Sequence, residues 1–158
     1  MNRLWAPWRR KFLAHPKPKG CIFCVLPKSQ NDRKNLIVER GDTVFSMLNL
    51  YPYNNGHVLI SPYRHLASPE LMTEGEWAEL FLYVKRSKAA LDRILKPHGY
   101  NMGMNVGAAA GAGFDKHVHF HLVPRWGGDT NFMPVVGGQK VISESLDELW
   151  KRLVKDLR

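Results

Sequence analysis

The sequence predicts an α+β fold: an antiparallel sheet of about five strands, with a long central helix and a C-terminal helix covering one face. Three observations predict it. Short β-rich segments are separated by turn residues, one long capped run has helical spacing, and a second amphipathic run closes the chain. The 158 residues suffice for one domain with a real core, and 44% hydrophobic with 23% charged residues is an ordinary globular mix.

Residues 1–35 read as an irregular N-terminal arm. Pro7, Pro16, Pro18, Gly20 and Pro27 interrupt it, and "CIFC" at Cys21–Cys24 forms a knuckle. "NLIVER" and "DTVFSMLNL", the turn "YPYNNG" and then "HVLISP" read as adjacent antiparallel strands. The long helix follows. Thr73 and Glu76 fit a capping box, and Pro97 with Gly99 ends the run. Trp77, Leu80, Phe81, Val84, Leu91, Ile94 and Leu95 keep helical spacing and are expected in the core. "YNMGMNV" reads as a strand in which Gly103 marks a bulge or a close backbone approach. A small-residue loop, "GAAAGAGFD", leads into "KHVHFHLVPRW". "MPVVG" reads as extended. A final helix within 143–158, capped by Ser145 and Glu148, is expected to bury Leu146, Leu149, Trp150, Leu153, Val154 and Leu157. The whole, 1–158, is read as a single domain without internal repeats.

Composition narrows the function. No apolar run approaches the ~20 residues of a membrane span, and the N-terminus lacks the apolar stretch of a signal peptide, so a cytoplasmic protein is expected. The net charge of +9 favours anionic partners. Its charges are dispersed and do not alternate with aromatics as in a single-strand-binding groove, so a small phosphorylated ligand fits better than a nucleic acid. Two cysteines are too few for a disulfide scaffold. A redox pair, half of a metal site, or two unrelated small side chains all remain open.

The strongest signal is the histidine row. In a strand, His117, His119 and His121 line one face at intervals of about 6.6 Å, while Val118, Phe120 and Leu122 line the other. One strand then anchors itself in the core and presents three imidazoles outward. Such a row serves either metal binding or covalent catalysis by imidazole, which is largely neutral near pH 7. The adjoining Gly/Ala loop lets backbone N–H groups approach phosphate oxygens, which argues for phosphate beside imidazole. His57, His15 and His98 receive no role.

His117-Val-His119-Phe-His121-Leu-Val resembles the signature of the histidine triad (HIT) family. "LNLYPYNNGHVLISPYRH" resembles the family's nucleotide-holding hairpin, and "CIFC" the zinc knuckle of many bacterial members. "LWAPWR" and "HFHLVPRWGGDTNFMPV" resemble the longer bacterial branch, which includes diadenosine tetraphosphate phosphorylases (ATP adenylyltransferases). The resemblance implies a HIT-like fold and nucleotidyl transfer in two displacements. His119 would take a nucleotidyl group from a diadenosine polyphosphate or related nucleotide. Phosphate, water or another acceptor would then remove it. His121 would position phosphate and nucleophile. Asn49 would meet the ribose hydroxyls, Met47, Leu48 and Leu50 the base, and Asn105 the phosphate or its loop. Gly113 stands where many members carry Gln or Ser, so phosphate contacts would come from the backbone N–H groups of Ala112, Gly113 and Phe114. Cys21, Cys24, His65 and His117 would hold a structural zinc. The resemblance also implies a homodimer, with a tetramer possible in the longer branch. Arg125, just past the row, offers a guanidinium for a second phosphate. Alternatives are a HIT-type hydrolase or phosphoramidase, and a nucleotide-binding regulator with little turnover.

Overall fold

The computed structural model describes residues 20–129 and 142–158. "MPVVG", His15 and most of the N-terminal arm lie outside the described residues. Along the chain come α1 (Ile22–Val25), α2 (Asp32–Asn35), β1 (Ile37–Arg40), β2 (Val44–Leu48), β3 (Val58–Pro62), α3 (Glu74–Leu95), β4 (Gly99–Met104), β5 (Phe120–Arg125) and α4 (Leu146–Leu157). The five strands form one antiparallel sheet, as the sequence predicts, and their order is β1-β2-β3-β5-β4. None of the described helices is long and apolar enough to cross a membrane.

Chain chemistry accounts for the boundaries. Thr73 and Glu76 form the reciprocal capping box at the start of α3, and Ser145 caps α4 through the Glu148 N–H. "NLIVER" becomes a strand only at Ile37, because Asn35 and Leu36 close α2, with Leu36 in the left-handed region at φ 58°. The tight turn before β3 requires Gly56. Its φ is +75°, and a Cβ there would lie 2.6 Å from the Leu95 side chain. Neither the bulge nor the close approach expected at Gly103 is found among the described residues: β4 pairs with β5 in unbroken register from Gly99↔Arg125 to Met104↔Phe120, and a Cβ at Gly103 would meet nothing within 4 Å. The irregularity lies instead in β1, between Ile37 and Glu39.

Two apolar clusters sandwich the sheet. On one face, Val44, Leu48, Val58, Ile60, Phe120 and Leu122 meet Leu80, Val84 and Leu91 of α3 and Leu149 and Leu153 of α4. On the other face, Phe23 of α1 packs with Ile37, Phe45, Met47 and Leu59. Phe81 departs from expectation and is 53% exposed. One residue is about 100° of helix, so Phe81 sits off the stripe on which Leu80, Val84 and Leu91 are buried.

Candidate active site and metal centre

The sheet's second face carries the cysteines and the histidine row. Cys21 precedes α1, and a single helical turn, closed by Cys24 N–H to Cys21 C=O (3.1 Å), brings Cys24 back beside it. His65 follows β3. The preceding residue, Arg64, grips Glu76 at the start of α3 through Nε and Nη2, both at 2.7 Å. That guanidinium holds the Glu76 carboxyl at about 2, despite its burial. His117 arrives on the extended stretch leading into β5. Its neighbour Val118 donates to Leu66 C=O (2.7 Å), and Val118 C=O accepts from Ser61 Oγ (2.9 Å).

The four expected metal-ligating side chains therefore converge, with all donor atoms within 4.8 Å of one another. Cys21 Sγ and His117 Nδ1 are 3.2 Å apart, Cys24 Sγ and His65 Nδ1 3.3 Å, and the two Nδ1 atoms 3.2 Å. Tetrahedral bonds of about 2.0–2.3 Å put ligand atoms roughly 3.3–3.8 Å apart, so the cluster has the size of a four-coordinate site. The tautomer fits as well. His117 Nε2–H donates to Pro62 C=O at 3.0 Å, which leaves the Nδ1 lone pair facing the cluster. Burial and the neighbouring Cys21 push the Cys24 thiol up, a cost that a bound cation reverses.

His119 and His121 sit beside this centre, and hydrogen bonds set their tautomers too. His119 Nδ1–H donates to His117 C=O at 2.8 Å, so Nε2 carries the lone pair. His57 Nδ1 receives the Tyr53 backbone N–H at 3.1 Å and the Asn49 amide at 3.2 Å. Because Nδ1 of His57 accepts, its Nε2 bears the proton and donates to His121 Nδ1 at 2.9 Å. The relay leaves His121 with its proton on Nε2. That atom is buried and has no hydrogen-bond partner among the described residues.

The three rings of the row are not presented outward as expected. His117, His119 and His121 are only 2%, 6% and 9% exposed, because α1 and the turn after β2 fold over them. Phe23 stacks on His119 with centroids 4.8 Å apart, and Tyr53 stacks on His121 at 5.6 Å. Burial lowers the basicity of all of them: His57 to about 3, and His117 and His121 to about 4. For His119 burial also lowers the pKa, partly offset by the bond to His117 C=O. These imidazoles are thus neutral at neutral pH, the form that attacks an electrophile.

The remaining expected residues divide. Met47 pairs with Leu59, which pairs with His121, so it shares the histidine face. Leu48 does not: it pairs with Val58, turns to the helix face and is fully buried there, so it cannot line a base pocket. Asn49 and Leu50 start the turn after β2. Asn49 Oδ1 accepts the Tyr51 N–H (2.9 Å), and Leu50 is 58% exposed. Asn105, Ala112, Gly113 and Phe114 are half-buried on the loop before the row, and Phe114 packs edge-on against Phe23. Arg125 is already engaged, through Nε with Asp129 (2.5 Å) and through Nη1 with Asn101, so it is not a loose fork for phosphate. His98 is exposed. Sequence reasoning missed His57 and Phe23. Strand parity offered a signal for His57, since positions 57, 59 and 61 share the face on which Leu59 meets His121.

Comparisons with known proteins find clear relatives. The sequence model of the HIT domain matches residues 30–128. A protein of Mycobacterium tuberculosis named AP-4-A phosphorylase is 38% identical over 165 residues, covering 99% of this chain and 84% of that protein. An adenosine 5'-monophosphoramidase of Schizosaccharomyces pombe is 31% identical over 108 residues, 67% of this chain and 74% of its own length. Among solved structures, a Zn-bound histidine triad protein from Mycobacterium smegmatis has the same fold. Its TM-score is 0.69 at 22% identity, over 87% of this chain and 93% of that one.

Proposed function

The chain belongs to the HIT domain family of nucleotide-acting enzymes, and on that premise we propose that it is a nucleotidyl transferase that splits diadenosine polyphosphates with inorganic phosphate as acceptor. The observation that carries the reading is the fixed tautomer of His119. With Nδ1–H given to His117 C=O, the Nε2 lone pair is free to attack the α-phosphorus and form a nucleotidyl-histidine. His121, held as an Nε2–H donor by His57, steadies a phosphate oxygen. Backbone N–H groups of Ala112, Gly113 and Phe114 take the other oxygens. Asn49 meets the ribose, Met47 and Leu50 the base, and Asn105 orients the loop. Cys21, Cys24, His65 and His117 hold zinc, which when bound ties the knuckle to the histidine row and takes no part in bond making. The enzyme acts in the cytoplasm, as a dimer.

Phosphate is favoured as acceptor by the match to the mycobacterial AP-4-A phosphorylase along nearly the whole chain, and by a net charge of +9, which concentrates anions. Turnover of diadenosine tetraphosphate in labelled phosphate separates the outcomes. Phosphorolysis gives labelled ADP plus ATP. Unlabelled AMP plus ATP, at a rate independent of phosphate, would make the protein a hydrolase, the chemistry closer to the phosphoramidase relative.

A further inference from the structure

Phe23 is the middle of the knuckle, between the two cysteines, and it is 1% exposed. A knuckle needs only its ligands to bind metal, yet this side chain reaches past them into the row. Its ring lies over His119 at a centroid distance of 4.8 Å and an interplanar angle of 23°, and it also touches His117 at 5.2 Å. Phe114 meets it edge-on at 6.0 Å. A stacked arrangement sets one imidazole against the electron-rich face of a benzene ring in a site nearly closed to water.

That face matters when His119 changes charge. The Nε2 lone pair forms the N–P bond, and the P–O bond to the departing nucleotide breaks, its electron pair leaving on oxygen. Nδ1 keeps its proton against His117 C=O, so the nucleotidylated ring is a cation created by bond formation. When the acceptor oxygen attacks phosphorus, the N–P pair returns to Nε2 and the ring is neutral again. We propose that Phe23 is a catalytic residue that stabilises the nucleotidyl-imidazolium of His119 by a cation–π contact, making the metal knuckle a working part of the active site. This rests on the assignment of His119 as nucleophile. A cation within about 6 Å of an aromatic centroid is attracted to it, more strongly when desolvated. The neutral ground state gains far less, so the contact favours the charged intermediate and the transition state leading to it.

Fluorinated phenylalanines at position 23 test this, because they drain the ring face with little change in shape. Proteins carrying Phe, 4-fluoro-, 3,4-difluoro- and 3,4,5-trifluoro-Phe would be compared by rapid quench for the rate of adduct formation from diadenosine tetraphosphate. Metal content and nucleotide affinity would be measured on each. The expected result is a stepwise fall of about tenfold across the series, with metal content and affinity unchanged. An adduct that forms at one rate throughout would overturn the proposal and reduce Phe23 to packing. If the unsubstituted protein turns over without any adduct, the nucleophile assignment falls, and this proposal with it.

Discussion

At the scale of single residues, the site depends on which nitrogen of each histidine holds its proton. The control starts at the Tyr53 amide, which forces His57 to accept at Nδ1 and hence to donate to His121. His57→Leu removes that donor, and kcat is expected to fall at least tenfold while KM changes little. The same residue makes stability pH-dependent. Burial holds His57 at about 3, well below its unfolded value of about 6.5. The folded state therefore binds fewer protons, so the stability from the neutral ring is complete above pH 6.5 and is lost as pH falls toward 3. By pH 5 this loss is about 2 kcal/mol. Melting temperatures of the wild type are expected to drop between pH 7 and 5, and His57→Leu should show a smaller drop. Equal slopes would contradict the assignment.

At the scale of elements, α1 is a single turn and too short to be stable alone. Phe23 and the cysteine–histidine cluster hold it to the sheet. Removing zinc with a chelator, or Cys21→Ser, is expected to lower the melting temperature and slow turnover together. Metal analysis of protein purified without added metal should find about one zinc per chain; less than half an equivalent, unchanged by Cys21→Ser, counts against the site. The elements differed in how legible they were in the sequence. The limits of α3 are written locally, in the Thr73–Glu76 box and Pro97, and the row is written in its period of two. The cover over the row is not. Phe23 lies 96 residues from His119, and it sits within a cysteine–histidine cluster whose members come from three parts of the chain. The resemblance groups Leu48 with Met47, but strand alternation turns Leu48 to the helix face, away from Met47.

At the scale of the whole molecule, the sheet keeps β4 as an edge, and Met102 on β4 is 52% exposed, with Val106 just beyond at 51%. Phe81 and Leu82 of α3 are 53% and 51% exposed. Large apolar side chains left in water on neighbouring elements suit a protein–protein interface. A dimer through α3 and β4 is therefore expected, and Phe81→Glu with Met102→Glu should give monomers in sedimentation. Monomeric wild type at micromolar concentration would contradict it. The central claim, covalent transfer through His119, has its own direct measurement. Because His119 is packed against Phe23 and an alanine would leave a void, His119→Gln is the better variant. Intact-protein and peptide mass spectrometry after acid-free quenching of a reaction with diadenosine tetraphosphate is expected to find one AMP on the His119 peptide of the wild type. None is expected on His119→Gln, whose turnover should be abolished. A variant that keeps a tenth of the wild-type rate, or wild-type turnover with no nucleotide on that peptide, would contradict the account.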